Sequence, residues 1–431
     1  MSTTDRRYDL VVWGATGVAG RLVADHLADR NTSETLALAL GGRDADRLRE
    51  VGADLVDRHD GWDDIPTVLG DATDAERLRE IARETRVVCT TVGPYTAYGT
   101  PLVEACLAAG TDYCDLAGEI NWIRETIDRY HDEAVEAGVR IVHGCGFDSV
   151  PADLGTLLVQ SFAADEFGTR CETVRIYLEA GRGRVSGGTL ASAAALFDAA
   201  SDDPVARRAV RNPYSLAPAG ERDGVDPGAQ RRPTRDPLRS GWSAPSPMAP
   251  VNERTVRRSN ALLGYPWGRE FRCTEVVPTG RGIGGAAAAG AIAAGLGLGT
   301  VAMSVGPVRA ALRRFVFPGA GTGPTRDDVD DGHFTVRVLG RGTATDGPFV
   351  VEAVIGADRD PGYGATARML GEAGTCLVRG ETDSPLASGV LTPASGIGAP
   401  LADRLRDVGQ TVRVRERSDD GGRSASTHAG R

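Results

Sequence analysis

Three glycines near the start of the chain have the clearest chemical pattern. Residues 8–13 form a mostly apolar run, Gly14, Gly17 and Gly20 follow at GxxGxxG spacing, and residues 21–27 have the apolar spacing of a helix. A glycine turn between a buried strand and a helix brings backbone N–H groups and the positive end of the helix dipole to one point, where they bind a pyrophosphate. The spacing is a variant of the GxGxxG dinucleotide fingerprint, and a turn without a ligand is the alternative. The predicted contacts are Gly14, Ala15, Thr16, Gly17, Val18, Gly20 and Arg21.

The residue after the second predicted strand bears on which dinucleotide binds. Residues 35–40 are apolar and run into Gly41, Gly42 and Arg43, the position that reads the adenosine ribose. A carboxylate there would bind the 2′-hydroxyl of NAD, whereas the guanidinium of Arg43 suits the 2′-phosphate of NADP. The sequence therefore predicts NADP(H). Asp44 follows directly and argues for NAD, and a solvated role for Arg43 is the alternative.

Further cofactor contacts are predicted where later strands end. In a doubly wound sheet, the carboxyl ends of the strands border the cofactor. One short apolar run ends at Asp71, and the strand 87–92 runs into Gly93-Pro94-Tyr95, which we expect beside the nicotinamide half. The contacts predicted at these two strand ends are Asp71, Thr91, Val92, Gly93 and Pro94.

Composition excludes several classes of protein. The chain has 431 residues, enough for two domains, and its formal net charge is −10. It contains no lysine, which excludes a Walker-type phosphate lysine, a Schiff base and a lysine general base. The acidic balance argues against nucleic-acid binding. An acidic chain without lysine fits a halophilic, salt-rich cytoplasm or, alternatively, a GC-rich genome.

Cysteine and histidine are scattered rather than clustered. The 7 cysteines and 6 histidines show no metal-ligand spacing, so no metal site is predicted. An odd, scattered set of cysteines without a signal peptide predicts reduced thiols and a cytoplasmic protein.

Several segments form a combined pattern that is more specific than the glycine turn alone. They are residues 14–21, 42–43, 91–95, 113–119, 146–153 and, near the end, 389–394. Together they resemble the saccharopine-dehydrogenase-like oxidoreductases, specifically the branch that includes the trans-acting enoyl reductases. The resemblance covers most of the chain and is densest in 8–155. It implies NADP-dependent reduction with lipid-like enoyl substrates. It does not imply saccharopine chemistry, because the lysine-pathway enzymes use a catalytic lysine that this chain lacks.

A reductase also needs a proton donor and a group that polarises the substrate. Tyr95 is the preferred proton donor, since a phenol beside the nicotinamide can protonate the substrate, and Asp148 and Glu119 at two other strand ends are the alternatives. Packing of the Tyr95 ring and capping of the next helix by Asp148 through Ser149 are the structural alternatives. His143 ends an apolar strand and is predicted to be a core histidine.

The predicted fold class is α/β, with two domains. A Rossmann-type doubly wound parallel sheet is expected over 1–155, because short apolar runs alternate there with helix patterns. A second, α+β domain follows over 156–416, and its closing helix, 399–407, is expected to pack back on the first domain. The second domain is predicted to hold a strand at 171–180, a helix at 187–200, a hairpin made by 334–339 and 348–354, and a helix from 366. Residues 212–250 contain 8 of the 23 prolines and predict an extended loop or lid, and 417–431 predict a disordered tail.

A long uncharged segment separates Arg281 from Arg309. Its 27 residues reach the length of a membrane span but are rich in Gly and Ala, so they gain little from insertion into hydrocarbon. A buried segment, an interfacial hairpin with Arg309, Arg313 and Arg314 at a bilayer surface, and a true span are the alternatives. The interfacial arrangement predicts peripheral membrane association at the inner face and a hydrophobic substrate. The sequence also leaves open whether the protein forms a homodimer.

Three functions are compatible with this sequence. The first is an NADP-dependent reductase of a lipid or isoprenoid double bond, which the resemblance favours. The second is a dehydrogenase of an amino-acid-derived substrate. The third is a non-catalytic NADP-binding protein at a membrane.

Overall fold

The computed structural model describes residues 6–182, 198, 203–315 and 329–417. Its strands are β1 (Tyr8–Trp13), β2 (Leu38–Gly42), β3 (Thr67–Leu69), β4 (Thr85–Thr90), β5 (Asp112–Cys114), β6 (Arg140–Val142), β7 (Thr173–Arg182), β8 (Thr234–Arg235), β9 (Trp242–Pro245), β10 (Arg272–Gly280), β11 (His333–Ala344), β12 (Gly347–Ala357), β13 (Gly389–Leu391) and β14 (Thr411–Glu416).

The helices alternate with the strands in the first part of the chain. They are α1 (Val18–Arg30), α2 (Ala45–Arg58), α3 (Ala75–Arg83), α4 (Tyr95–Ala109), α5 (Ile120–Ala137), α6 (Val150–Phe167), α7 (Pro204–Arg211), α8 (Ala249–Leu262), α9 (Gly282–Ser304), α10 (Gly306–Phe315), α11 (Thr366–Arg379), α12 (Pro393–Gly396) and α13 (Ala399–Asp407). A single π turn, Pro361–Ala365, leads into α11.

The first sheet is parallel throughout and has the strand order β13-β6-β5-β4-β1-β2-β3. Helices cover both of its faces, which is why its central strand can be apolar on both sides. In β1, Leu10 and Val12 belong to the core that includes α1 and α11, while Val11 and Trp13 belong to the core beside α3, α4 and α5. This doubly wound sheet confirms the predicted fold class.

The C-terminal part of the chain returns to the first sheet. Strand β13 pairs in parallel with β6 and forms the edge of that sheet, although the sequence prediction included 389–391 in the range of the second domain. The closing helix, α13, packs back as predicted, through α11. Its Arg404 and the His26 ring of α1 both bond to the buried Glu372 carboxylate of α11, at 2.6 and 2.8 Å.

The second sheet is mostly antiparallel, in the order β14-β12-β11-β7-β10-β9-β8, with β7 and β10 parallel. The predicted hairpin is β11–β12. Helix α6 packs on this sheet closely, since a Cβ on Gly155 would lie 2.7 Å from Val338 Cγ2. The same core cluster includes residues of β1, α6 and β11, so one core joins the two sheets.

Two predicted segments lie wholly or mostly outside the described residues. They are the helix 187–200, apart from Asp198, and the tail, apart from Arg417. In the proline-rich stretch 212–250, the regular elements are the short strands β8 and β9 and the first residues of α8.

The uncharged segment forms the exposed helix α9, so the buried alternative is wrong. Within it Gly285 and Ala289 are buried, because its first turns rest on β9 and β10, whereas Ile283, Leu298 and Val301 are 90%, 72% and 63% exposed. In the described part of the chain, α9 is the one helix long and apolar enough to cross a membrane. Arg309 does not face a bilayer surface as predicted, because it is buried in an ion pair with Asp198.

Candidate functional site

The glycine turn lies between β1 and α1 as predicted, and its three glycines have different roles. Gly14 has a φ of +93°, and a Cβ on it would lie 2.7 Å from Val92 Cγ2. A Cβ on Gly20 would lie 2.1 Å from the Gly14 carbonyl oxygen, so this glycine lets the helix pack against the turn. Gly17 differs, because within 4 Å its Cβ would meet the Gly14 oxygen alone, at 3.3 Å. The space over Gly17 is therefore open to a ligand.

The N-terminus of α1 fits the pyrophosphate of a dinucleotide. Gly17 is the N-cap residue, and no side chain caps the helix. The first-turn N–H groups and the positive end of the helix dipole are therefore available to an anion. The sequence prediction placed Ala15, Thr16 and Val18 in this same turn.

At the end of β2 the structure separates the roles of two adjacent charged residues. The Asp44 side chain caps α2 by accepting a hydrogen bond from the Arg47 N–H at 3.1 Å. Arg43 is exposed and lies close to Asp71. Hydrogen bonds from Thr73 and the nearby Arg43 charge hold the pKa of Asp71 below its ordinary value. The Asp44 carboxylate is thus engaged in the helix cap, whereas the Arg43 side chain is exposed at the edge where the adenosine ribose is expected.

The end of β4 closes the other side of the turn. The Thr91 N–H donates to the Trp13 carbonyl at 3.0 Å, and its hydroxyl is 3.5 Å from the Gly14 carbonyl oxygen. The peptide bond between Gly93 and Pro94 is cis, and α4 begins at Tyr95. The structure therefore brings the predicted segment 91–94 next to the glycine turn.

Tyr95, predicted as the proton donor, is part of the buried framework. Its hydroxyl donates to the Thr90 carbonyl at 3.2 Å and accepts from the Leu116 N–H at 3.1 Å. The ring stacks on Trp122 with centroids 5.4 Å apart, and burial raises the pKa of the phenol well above its ordinary value. Both polar functions of the hydroxyl are used by backbone groups, so the geometry favours the packing role over proton donation.

Glu119 also has a structural position. Its two carboxylate oxygens accept hydrogen bonds from the Tyr95 and Thr96 N–H groups, each at 2.8 Å. This caps α4 at the end where a negative charge is most favourable. The structure therefore places Glu119 beneath the cofactor edge as a helix cap and does not favour it as a proton donor.

His143 lies in the core, as predicted. Its Nδ1 is 2.8 Å from the buried Asp115 carboxylate, which also accepts from the Tyr113 hydroxyl at 2.9 Å. The Trp122 ring meets the imidazole edge-on at 5.0 Å. These contacts lock the strand ends of β5 and β6 together.

Of the three predicted acids, Asp148 is the one whose surroundings suit acid–base chemistry. It precedes α6, whose N-cap residue, Ser149, makes no side-chain capping bond, so the capping alternative is not seen. Burial raises the pKa of Asp148 to about 6. A carboxyl group that holds its proton near neutral pH is suited to acid–base chemistry.

A second carboxyl group near Asp148 was missed by the sequence prediction. Glu275 of β10 accepts from the Ser246 hydroxyl at 2.5 Å and from the Asn252 amide at 2.6 Å. Burial raises its pKa to about 7, and the charges of Glu253 and Asp148 add to the shift. The available signal was a lone carboxylate followed by Val276 and Val277, in a stretch where the sequence analysis predicted no strand.

Glu275 borders a cavity of about 10 Å³ between α6, α8 and the second sheet, which has room for about one water molecule. Asn252 is also in its lining, and the apolar wall is formed by Phe147, Pro151, Ile176, Leu178, Met248 and Val336. Phe147 and Pro151 lie on either side of Asp148 in sequence, and a Cβ on Gly118, near the end of β5, would lie 4.0 Å from Val251 Cγ2 of α8. The cavity therefore borders the carboxyl edge of the first sheet.

The other reactive groups of the chain are its cysteines and its possible metal ligands. The seven cysteines are free and buried, which confirms the prediction of unpaired thiols. In the ranges that the structure describes, no group of three or more His, Cys, Asp or Glu side chains could hold a metal ion.

A parallel doubly wound sheet with an open glycine turn defines a Rossmann-type, dinucleotide-dependent oxidoreductase. Comparison with known proteins agrees: the family described as "Saccharopine dehydrogenase NADP binding domain" matches residues 10–142. The chain is 40% identical over 423 residues to the trans-acting enoyl reductase of Mycobacterium ulcerans, which is 96% of this chain and 99% of that protein. It is 39% identical over 420 residues to the protein of the same name from Mycobacterium tuberculosis, 95% of this chain and 98% of that one.

Among solved structures, the apo saccharopine dehydrogenase (L-Glu forming) of Saccharomyces cerevisiae is similar with a TM-score of 0.56 at 14% identity, covering 95% of this chain and 100% of that one. This likeness supports the fold. The chain belongs to the trans-acting enoyl reductase family of saccharopine-dehydrogenase-like proteins. It is an NAD(P)-dependent oxidoreductase, and its cofactor is NADP(H).

Proposed function

We propose that this protein uses NADPH to reduce the carbon–carbon double bond of a lipid-like or isoprenoid enoyl substrate. Relatives that match nearly its whole length are named for enoyl reduction. On this chain, the observation that carries the proposal is the glycine turn with open space over Gly17 and an uncapped α1 N-terminus, which fits the pyrophosphate of NADPH. Reduced nicotinamide, when bound, supplies a hydride, and the protein must supply the accompanying proton.

The absence of lysine argues against an amino-acid-derived substrate of the saccharopine type. Such a substrate carries carboxylates, which proteins bind with arginine, lysine or helix N-termini. The chain has no lysine, either to bind such carboxylates or to serve as the catalytic group of the lysine-pathway enzymes. An acyl or isoprenoid chain, in contrast, is stabilised by burial against apolar side chains.

We assign the adenosine end of the cofactor to Arg43 and the pyrophosphate to the open N-terminus of α1. Arg43 lies at the end of β2, next to the ionised Asp71, and the competing carboxylate of Asp44 caps α2. A guanidinium in this position favours the 2′-phosphate of NADP through charge-assisted hydrogen bonds.

Consumption of NADPH against a panel of substrates tests the proposal. A medium-chain 2-enoyl thioester should be reduced, while a 2-oxo acid with an amine should not. Reduction of the second pair would establish the amino-acid alternative. Tight NADPH binding without turnover of any enoyl thioester would instead favour a non-catalytic NADP-binding protein.

We also propose that α9 attaches the enzyme reversibly to the cytoplasmic face of an anionic membrane. The helix is apolar and exposed over most of its length. At its start, a groove is lined by Arg235, Arg239 and Arg281, and the Arg235 guanidinium lies over the Trp242 ring at 5.4 Å. Arginine next to an apolar helix complements an anionic bilayer, where each cation near the surface contributes about 1 kcal/mol.

Flotation with vesicles tests this attachment. The wild type should float with vesicles that contain an anionic lipid at low salt and less so at high salt. Arg235→Glu/Arg281→Glu should abolish flotation, whereas Arg272→Glu, an exposed arginine at the other end of β10, should not. A wild type that stays in solution at both salt concentrations would contradict the proposal, and a stable dimer in solution would show that a second copy covers α9.

A further inference from the structure

An arginine-lined groove lies where the second sheet meets the start of α9. Its volume is about 560 Å³, and its lining includes Arg235, Arg239 and Arg281. The turn between β8 and β9, residues 236–241, and Gly282, the first residue of α9, also belong to the lining. Because the whole chain carries a formal net charge of −10, three arginines around one groove are a local exception to an acidic protein.

The strand register places two of these arginines on either side of one aromatic residue. Trp242 of β9 pairs with Arg235 of β8 on one side and with Gly280 of β10 on the other. Neighbouring strands lie about 4.8 Å apart, so the backbones of Arg235 and Gly280 are about 10 Å apart. Arg281 follows Gly280 directly, and the Arg235 guanidinium lies over the Trp242 ring at 5.4 Å. One ligand above Trp242 is therefore within reach of both side chains.

The carboxylate in the groove lining, that of Asp236, is directed into the protein. Its side chain is 3% exposed, and Oδ2 lies 3.2 Å from the Arg175 guanidinium in an ion pair. Oδ1 accepts from the Tyr177 hydroxyl at 2.8 Å and from the Leu238 and Arg239 N–H groups at 2.9 Å. These bonds hold the turn in shape and compensate the negative charge inside the protein.

The three guanidinium groups of the groove differ in their partners. Arg239 pairs with Glu179 and lies over the Tyr177 ring at 5.1 Å, which fixes its position. Arg235 and Arg281 are exposed and form no ion pair within the ranges that the structure describes. Two cations are therefore available to an anion, beside a third that is held in place.

Backbone N–H groups at the start of α9 add further donors at the groove. Arg281 is the N-cap residue of this 23-residue helix, and no side chain caps it. A Cβ on Gly282 would meet no described atom within 4 Å, so the space beside the first turn is open. The N–H groups of that turn and the positive end of the helix dipole attract an anion. Together with the guanidinium groups they match the oxygens of a phosphate.

We propose that this groove binds the phosphate of a lipid headgroup while the exposed part of α9 enters the acyl layer of the same membrane. This inference rests on the proposed membrane attachment and deepens it, because it names the group that the membrane presents. A lipid is favoured over a free phosphate compound because the helix that starts at the groove exposes Ile283 and Leu298 for 90% and 72%. Trp242 in the groove has the amphipathic ring that is typical of a membrane–water interface.

The donor set of the groove favours a phosphate monoester over a diester. A monoester carries a charge of about −1.5 to −2 at pH 7 and three acceptor oxygens, whereas a diester carries a single negative charge. Two available guanidinium groups, each able to bind in a bidentate manner, match the monoester better. The acidic chain as a whole is repelled by an anionic surface, so attachment depends on directional bonds in the groove.

Flotation of the full-length protein with vesicles of two compositions tests the phosphate site. Both contain phosphatidylcholine, one with phosphatidate and the other with twice the mole fraction of phosphatidylglycerol, so that their surface charge is equal. The wild type should bind the phosphatidate vesicles about 5-fold or more tightly than the phosphatidylglycerol vesicles. Equal binding to both would overturn the phosphate site.

Arg235→Gln/Arg281→Gln tests which residues give this preference. Its binding to phosphatidate vesicles should fall by about 10-fold or more. Arg272→Gln/Arg413→Gln removes the same charge from two exposed positions outside the groove, on β10 and β14, and should keep the preference for phosphatidate. Equal losses in the two variants would show that overall charge, and not the groove, attracts the protein to the membrane.

Glycerol 3-phosphate separates the lipid from a free phosphate compound. It presents the same monoester without acyl chains, so it should displace the protein from phosphatidate vesicles only at concentrations about 100-fold or more above that of the lipid. Binding of glycerol 3-phosphate as tight as that of phosphatidate would overturn the lipid as the ligand.

The membrane attachment and the phosphate site fail in different ways. If the wild type floats with neither kind of vesicle, the attachment is wrong and the lipid inference with it. If it floats with both kinds equally well, the attachment stands and the phosphate site is wrong.

Discussion

The cofactor edge of the first sheet and the cavity of the second sheet are built on different principles. At the cofactor edge, the groups that bind are backbone N–H groups of a single turn, and the side chains nearby, such as Glu119 and Asp44, cap the helices that form it. In the cavity, the polar groups are side chains that are distant in sequence, Asn252 of α8 and Glu275 of β10. A dinucleotide site can therefore be specified by local sequence, whereas such a cavity depends on how distant elements pack.

Gly17→Val should prevent cofactor binding at the edge of the first sheet and leave the cavity beside the second sheet unchanged. Its φ of −78° is accessible to any residue, and its Cβ would approach the Gly14 oxygen at 3.3 Å, so the variant should fold. Its methyl groups would occupy the space of the pyrophosphate, so affinity for NADPH and NADH should fall by about 100-fold or more. Fluorescence titration measures this. A cooperative thermal unfolding transition like that of the wild type is the control, and unchanged cofactor affinity in such a folded variant would contradict the assignment of the glycine turn to the pyrophosphate.

Arg43→Asp should separate the two cofactors. Losing a charge-assisted contact with the 2′-phosphate costs about 1.5 to 3 kcal/mol, which is roughly 10- to 150-fold in affinity. NADPH binding should weaken by this factor while NADH binding changes little. Equal losses for the two cofactors, measured by the same titration, would remove Arg43 from the ribose site.

Glu275→Gln should change how the stability of the fold depends on pH. The pKa of Glu275 is raised to about 7 in the fold, above the ordinary pKa of about 4.3 for an unfolded glutamate. The folded state thus binds this proton more tightly, and the stability it contributes falls as pH rises from about 4 to 7 and is lost above that range. Removing the charge should therefore raise Tm relative to the wild type at pH 8 and have little effect at pH 5.

The size of this effect is limited by the pKa shift, at about 1.4 kcal/mol for each pKa unit, or roughly 3 to 4 kcal/mol in total. Thermal unfolding at the two pH values measures it. Glu352→Gln is the control, since burial would raise the pKa of the Glu352 carboxyl group but the hydrogen bonds and charges of Arg415 and Arg337 outweigh it and hold that pKa below its ordinary value. A difference in Tm that does not depend on pH would mean that Glu275 is not protonated in the fold.

The first sheet was largely predictable and the site of the second sheet was not. The strand and helix patterns of the first sheet, its glycine spacing and Arg43 are local, and the structure places them where the sequence indicated. Strand β13 was missed, because it is 3 residues long and joins β6 across about 250 residues of chain. Tyr95 stays a prediction as the proton donor, and the sequence alone left the packing alternative open, since the burial of Tyr95 depends on Trp122 and the backbone of residue 116.

The second sheet shows why longer-range placement cannot be inferred from a pattern. Nothing in the residues around Glu275 indicates that Asn252 and Ser246 will bond to it, because α8 begins at Ala249, 26 residues earlier, and the intervening loop decides the approach. The exposure of α9 was left open by composition, since Gly and Ala suit a buried or an exposed helix alike. Which alternative holds depends on whether a partner element covers the helix.

The most direct test of the central proposal follows the hydrogen atoms. NADPH with deuterium at the carbon that gives up the hydride should label the β-carbon of the saturated thioester product, and turnover in deuterium oxide should label the α-carbon. The wild type should give both labels, and Gly17→Val, which should not bind NADPH, should give neither at a measurable rate. Tight NADPH binding with no label in any enoyl thioester would contradict the proposal that this protein is an enoyl reductase.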